Sequence, residues 1–93
     1  MALLTKKEIR FVLTELHGWK LQGNVIRKKF VFADFARAIG FINSVALCAE
    51  RANHHPDIDI RWNKITLSLS THSEGGITQK DISLAKRIET FAD

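Results

Sequence analysis

The chain has 93 residues, 45% of them hydrophobic and 26% charged, with a formal net charge of +4. That length suits a single domain spanning residues 1–93, because splitting it would leave neither half a useful core. The composition is that of a soluble globular protein, and the longest apolar stretch, Phe30 to Ala49, is broken by Asp34, Arg37, Asn43 and Ser44, which argues against a membrane span.

Thr5 followed by Glu8 forms a capping box, and Ile9, Val12, Leu13 and Leu16 follow at helical spacing. Lys6, Lys7, Glu8 and Arg10 in this segment leave no apolar signal core near the N-terminus. Gly18 is placed to end the helix as a left-handed cap. Trp19 and Leu21 lead to a turn at Gly23-Asn24, after which Ile26, Phe30 and Phe32 alternate on one face of a second strand. Lys28 occupies the apolar parity there and is read as a snorkelling stem, with a substrate contact as the alternative. Arg27-Lys28-Lys29-Phe30-Val31-Phe32 mixes cations with aromatics but lacks the glycines of an RNA-binding sheet motif. With the other basic residues scattered in small groups, no direct nucleic-acid partner is expected.

Ala33 to Asn53 is the longest helix candidate, with one apolar stripe through Phe35, Ile39, Ile42, Ala46 and Ala49 and a second through Phe41, Val45 and Cys48. A helix with two apolar faces needs cover on both, one from the sheet and one from another subunit. The single cysteine, Cys48, excludes an internal disulfide, reads as a packed thiol rather than a nucleophile, and fits a reducing cytoplasm. Pro56 stops the helix. Ile58, Ile60 and Trp62 then alternate with Asp59 and Arg61, Asn63-Lys64 turns the chain, and Ile65, Leu67 and Leu69 alternate with Thr66, Ser68 and Ser70, a half-buried antiparallel hairpin. Ser73 to Gly76 is a loop, Thr78 with Asp81 makes a second capping box, and Ile82, Ala85 and Ile88 mark a last helix. The order α-β-β-α-β-β-α predicts an α+β fold, a four-stranded antiparallel sheet with three helices packed on one face.

Three of the four histidines fall at element ends: His54 and His55 where the long helix stops, His72 where the last strand stops. Imidazole titrates near neutrality, so a cluster can both donate and accept protons. If the hairpin after Pro56 returns the chain toward the helix terminus, the three rings line one mouth. Glu50, one turn before His54, is expected to share its face and orient it, with His55 pointing elsewhere. Taken singly, a histidine at a helix C-terminus is more often merely stabilising. A zinc-like set of Glu50, His54 and His72 is the rival, but the spacing is poor for it and no HExxH or CxxC partner exists. Acid/base catalysis without metal or cofactor fits better.

The motifs Glu50-x-x-x-His54-His55-Pro56, Trp62-Asn63-Lys64, Leu69-Ser70-Thr71-His72 and Gly76-Ile77-Thr78-x-x-Asp81 closely resemble those of the pterin-4a-carbinolamine dehydratases. Gly18-Trp19, Phe30-x-Phe32-x-Asp34-Phe35 and Gly40-Phe41 extend the resemblance over nearly the whole chain. It implies a homotetramer, a dimer of dimers in which sheets pair edge to edge and long helices bundle. It implies dehydration of 4a-hydroxytetrahydrobiopterin, the product of aromatic amino acid hydroxylases, to quinonoid dihydrobiopterin in tetrahydrobiopterin recycling. His54, His55 and His72 would be the active-site imidazoles, Glu50 and Asp81 would orient these rings or the substrate, Asn53 would contact the substrate, and Trp19 would stand in the pocket wall or, equally, be a buried core indole. Asn53, Ile58 and Lys80 stand where Asp, Trp and Arg are frequent in the family, which bears on the pocket rim and on substrate specificity. Animal members also act as dimerisation cofactors of a homeodomain transcription factor, so a protein-binding or coactivator role is the alternative function.

Overall fold

A computed structural model describes residues 2–92 of the chain. Helix α1 (Lys6–Leu13) is followed by strands β1 (Lys20–Gln22) and β2 (Val25–Val31), the long helix α2 (Phe35–Ala52), strands β3 (Asp57–Arg61) and β4 (Lys64–Leu69), a 3-10 turn (His72–Glu74) and helix α3 (Gln79–Glu89). The four strands make one antiparallel sheet in the order β1-β2-β4-β3, with the three helices over one face, as the alternation of apolar residues predicted. Among the described residues no helix is long and apolar enough to cross a membrane.

The pairing of β2 with β4 brings Ile26 opposite Leu69 and Phe30 opposite Ile65, so one face of the two central strands is a continuous apolar floor. On that floor sit Ile9 of α1, Ala38, Phe41 and Val45 of α2, and Ile82, Ala85 and Ile88 of α3, all buried. Both capping boxes form: Glu8 Oε1 accepts from the Thr5 backbone N–H at 2.7 Å, and Asp81 Oδ2 accepts from that of Thr78 at 2.9 Å.

Four local expectations need correction. Helix α1 ends at Leu13 rather than at Gly18. Gly18 is left-handed (φ 88°), but it serves the entry to β1, where a Cβ would come within 3.0 Å of the Lys28 side chain. Lys28 does not reach out to water: its ammonium donates to Glu89 Oε2 at 2.8 Å and to the His17 carbonyl at 2.9 Å, because α3 lays a carboxylate over that point of the sheet. The β3–β4 turn is centred on Trp62 and Asn63, not Asn63-Lys64; Arg61 pairs with Lys64, and Trp62 takes φ 54°. Asn63 is buried there because its side-chain amide donates to the Phe32 carbonyl at 2.7 Å, tying the turn to the end of β2. Finally, only β4 is half-buried. Ile58 and Ile60 lie on the helix-side parity, opposite Leu67 and Ile65, yet remain 40% and 42% exposed, because β3 is an edge strand that the helix layer does not cover.

Candidate active site

The site begins with the way α2 ends. Asn53 adopts the left-handed conformation (φ 50°, ψ 45°), which asparagine tolerates better than most residues. Its N–H bonds the Glu50 carbonyl, and the N–H of His54 reaches back to the Ala49 carbonyl at 3.1 Å, which is the Schellman pattern. Pro56 follows and prevents further helix. Asn53, expected as a substrate contact, thus acts on the backbone by setting the direction in which His54 and His55 leave the helix.

His54 turns inward. Its Nε2 lies 2.6 Å from Asp81 Oδ1, with the imidazole 11% exposed and the carboxylate fully buried. The other oxygen, Oδ2, accepts from the Thr71 hydroxyl at 2.8 Å and from the Thr78 N–H at 2.9 Å. The two threonine hydroxyls are themselves 2.8 Å apart. Since Thr71 donates to Asp81, it accepts from Thr78, whose oxygen accepts the Lys80 N–H at 3.3 Å. One carboxylate therefore caps α3 and binds both the end of α2 and the segment after β4. Such a buried charge is tolerable because each oxygen is met by donors. With Nε2 given to Asp81, Nδ1 is the ring nitrogen outside that bond. Among the described residues no buried side-chain nitrogen or oxygen lacks a partner.

Glu50 does not take the partner expected of it. Glu50 meets His55, not His54: His55 Nε2 is 2.5 Å from Glu50 Oε2, both side chains being largely exposed. The spacing rule that pairs residues four apart assumes an unbroken helix. The left-handed Asn53 ends it, sends His54 toward Asp81, and lets His55 fold back over Glu50. His72 opens the 3-10 turn on the exposed side, directly after Thr71, which is paired with Gly76 in an isolated bridge. The segments carrying all three histidines are thus joined through Asp81. Among the described residues, the groove of about 330 Å³ between α2 and α3 takes in His54 but neither His55 nor His72.

Trp19 is placed apart from this group. It is 3% exposed, packs edge-on against Phe30 with ring centroids 6.0 Å apart, and donates from Nε1 to Glu89 at 2.9 Å. Glu89 is the last residue of α3 and Asp81 belongs to its first turn, about 12 Å away along the axis. Within one chain Trp19 is a core indole and not a wall of the histidine site. Glu50, His54 and His72 do not come together as a metal set either; among the described residues no group of three or more His, Cys, Asp or Glu could hold an ion. Cys48 is half-buried in the groove wall.

Sequence reasoning gave Thr71 no role and treated Thr78 only as a cap. A signal for both was present: a strand whose alternation ends in consecutive hydroxyl residues, Ser70 and Thr71, has polar groups at its buried end that require partners. Arg51 and Arg87, which border the groove, also went unassigned, while Lys80 beside them was expected at the pocket rim.

Residues 2–91 match the family model described as pterin 4 alpha carbinolamine dehydratase. A Roseiflexus castenholzii protein named "Putative pterin-4-alpha-carbinolamine dehydratase" is 57% identical over 88 residues, covering 95% of each chain. One of the same name from Sulfurisphaera tokodaii is 51% identical, with 96% of each covered. Among solved structures, a Brucella melitensis protein described as a transcriptional coactivator/pterin dehydratase superposes with a TM-score of 0.94 at 37% identity, over 99% of this chain and all of the other. A pterin dehydratase-like protein described as a RuBisCO assembly factor in the alpha-carboxysome shares the fold, with a TM-score of 0.71 at 23% identity over 82% of this chain and 90% of the other.

Proposed function

The chain belongs to the pterin-4a-carbinolamine dehydratase family, and from that premise we propose that it is a carbon–oxygen lyase converting 4a-hydroxytetrahydrobiopterin, or a close tetrahydropterin relative, to the quinonoid dihydropterin and water. The observation that supports this most is the Asp81 hub, which fixes His54 beside the segment that carries His72.

The reaction is redox-neutral. The N5 lone pair forms a double bond to C4a as the C4a–O bond breaks; the departing hydroxyl takes a proton to leave as water, and N5 loses one. Neither a metal nor a covalent intermediate is needed. An acid at the hydroxyl and a base near N5 are useful, each such transfer contributing about 10²–10⁴-fold. We assign these transfers to His54 and His72, with Asp81 holding His54 by Nε2 so that Nδ1 faces the reaction. His55, oriented by Glu50, positions the pterin and assists. The setting is recycling of the pterin product released by aromatic amino acid hydroxylases.

The test is stopped-flow decay of freshly generated 4a-hydroxytetrahydropterin with and without EDTA. Acceleration that survives the chelator is expected. Decay at the uncatalysed rate in the presence of protein would refute the dehydratase reading.

A protein-binding reading, as a dimerisation cofactor or coactivator, draws on the outer surface of α2, where Phe35 and Leu47 are 51% and 73% exposed, and on the description of the Brucella relative. We assign that surface, with the open β3 edge, to self-association as a homotetramer, since a chain this small gains most by burying both.

A further inference from the structure

We propose that the groove between α2 and α3 binds an anion, so that the pterin taken by this protein carries a side chain ending in phosphate or carboxylate. The pterin half of this inference rests on the dehydratase reading; the anion half rests on the groove itself.

The groove has an apolar floor, with Leu84 buried and Cys48 half-buried, and is bordered by Arg51, Lys80 and Arg87. Among the described residues no carboxylate lines it. The nearby acidic groups are already engaged: Glu50 holds His55, and Asp81 is surrounded by His54, Thr71 and Thr78. Among the described residues, Arg51, Lys80 and Arg87 form no ion pair, whereas Lys28, Arg61, His54 and His55 do. Three uncompensated cations around one apolar cleft repel each other and favour an incoming negative charge. Two of them are guanidinium groups, whose paired N–H donors match the oxygens of phosphate and carboxylate.

The geometry also fits a substrate anchored at His54. Asp81 ties that histidine to the first turn of α3, and Lys80 to Arg87 spans about 10 Å along the helix. A pterin ring held at His54 would direct its C6 side chain down the groove, where a terminal anion meets the arginines. A short neutral chain would leave them without a partner.

The test compares binding, by fluorescence titration at low salt, of three stable dihydropterins: one with a trihydroxypropyl chain, its terminal monophosphate ester, and one with a carboxylate-ended chain of the same length. At least one anionic form should bind about tenfold tighter than the neutral form. Which of the two does so identifies the anion. The preference should shrink as ionic strength rises, and in the Arg51→Gln/Arg87→Gln double variant it should fall to about twofold or less. The ratio between tails is the readout, so a general loss of affinity cancels, and a retained melting temperature confirms folding. Equal affinity for all three tails in the wild type overturns the inference, including the case in which a second copy of the chain covers the groove. A preference that persists in the double variant also overturns it. The two readings fail separately: turnover of a neutral pterin without tail preference removes only the anion site, and tail preference without turnover removes only the dehydratase assignment.

Discussion

Two residues decide where the histidines point. Asn53 accepts a left-handed backbone that most side chains resist, and Asp81 is the buried carboxylate on which His54 and Thr71 converge. Replacing Asn53 by alanine should lower stability by about 1 kcal/mol, whereas glycine should leave it within about 0.5 kcal/mol, as read by thermal unfolding. Equal losses for alanine and glycine would show that the Asn53 side chain, not its backbone, is what matters. Asp81→Asn keeps the shape but gives an amide two acceptors' worth of work with only one oxygen. It should cost about 2–3 kcal/mol and lower turnover on the order of 10²-fold. An Asp81→Asn protein with wild-type turnover would separate Asp81 from catalysis. The motif made His54, His55 and His72 legible in the sequence, but not their partners. Glu50 was matched with His54 by helical spacing, and that spacing ceases to apply one residue earlier, at Asn53.

At the scale of elements, the alternation of Ile65, Leu67 and Leu69 and the stripe of α2 were enough to define the core. Errors gathered where a chain reversal depends on tertiary contact. Trp62 was read as a strand residue because it continued the parity of Ile58 and Ile60. The turn falls there instead because Asn63 is claimed by the carbonyl of Phe32, a residue distant in sequence. Gly18 was read as a helix cap because local sequence cannot show that Lys28 passes beneath it toward Glu89. That packing makes a prediction. Gly18→Ala forces a left-handed alanine against the Lys28 stem and should destabilise the protein by about 1–2 kcal/mol in chemical denaturation. A neutral effect would mean the segment between α1 and β1 can take another path.

For the whole molecule, the sheet order and the single helix layer leave β3 uncovered, with Ile58 and Ile60 exposed on the helix-side face of that edge strand. An edge strand with exposed apolar residues invites another strand. The doubly apolar α2 raised the expectation of a second subunit from sequence, while the open β3 edge became visible only once the strand order was known, since strand order depends on long-range pairing of β2 with β4. Analytical ultracentrifugation of the wild type should show a species larger than the monomer, and Ile58→Lys/Ile60→Lys should shift it to smaller species. An unchanged sedimentation profile would place the interface elsewhere. Imidazoles joined through Asp81 are proposed to carry out the dehydration, and single-turnover decay of 4a-hydroxytetrahydropterin with His54→Ala and His72→Ala tests that assignment. Each substitution should slow the catalysed step by about 10²-fold or more while the assembly stays as in the wild type; His72→Ala should also keep the melting temperature, whereas His54→Ala, which leaves Asp81 Oδ1 without its donor, should lower it. Wild-type rates in both variants would contradict it.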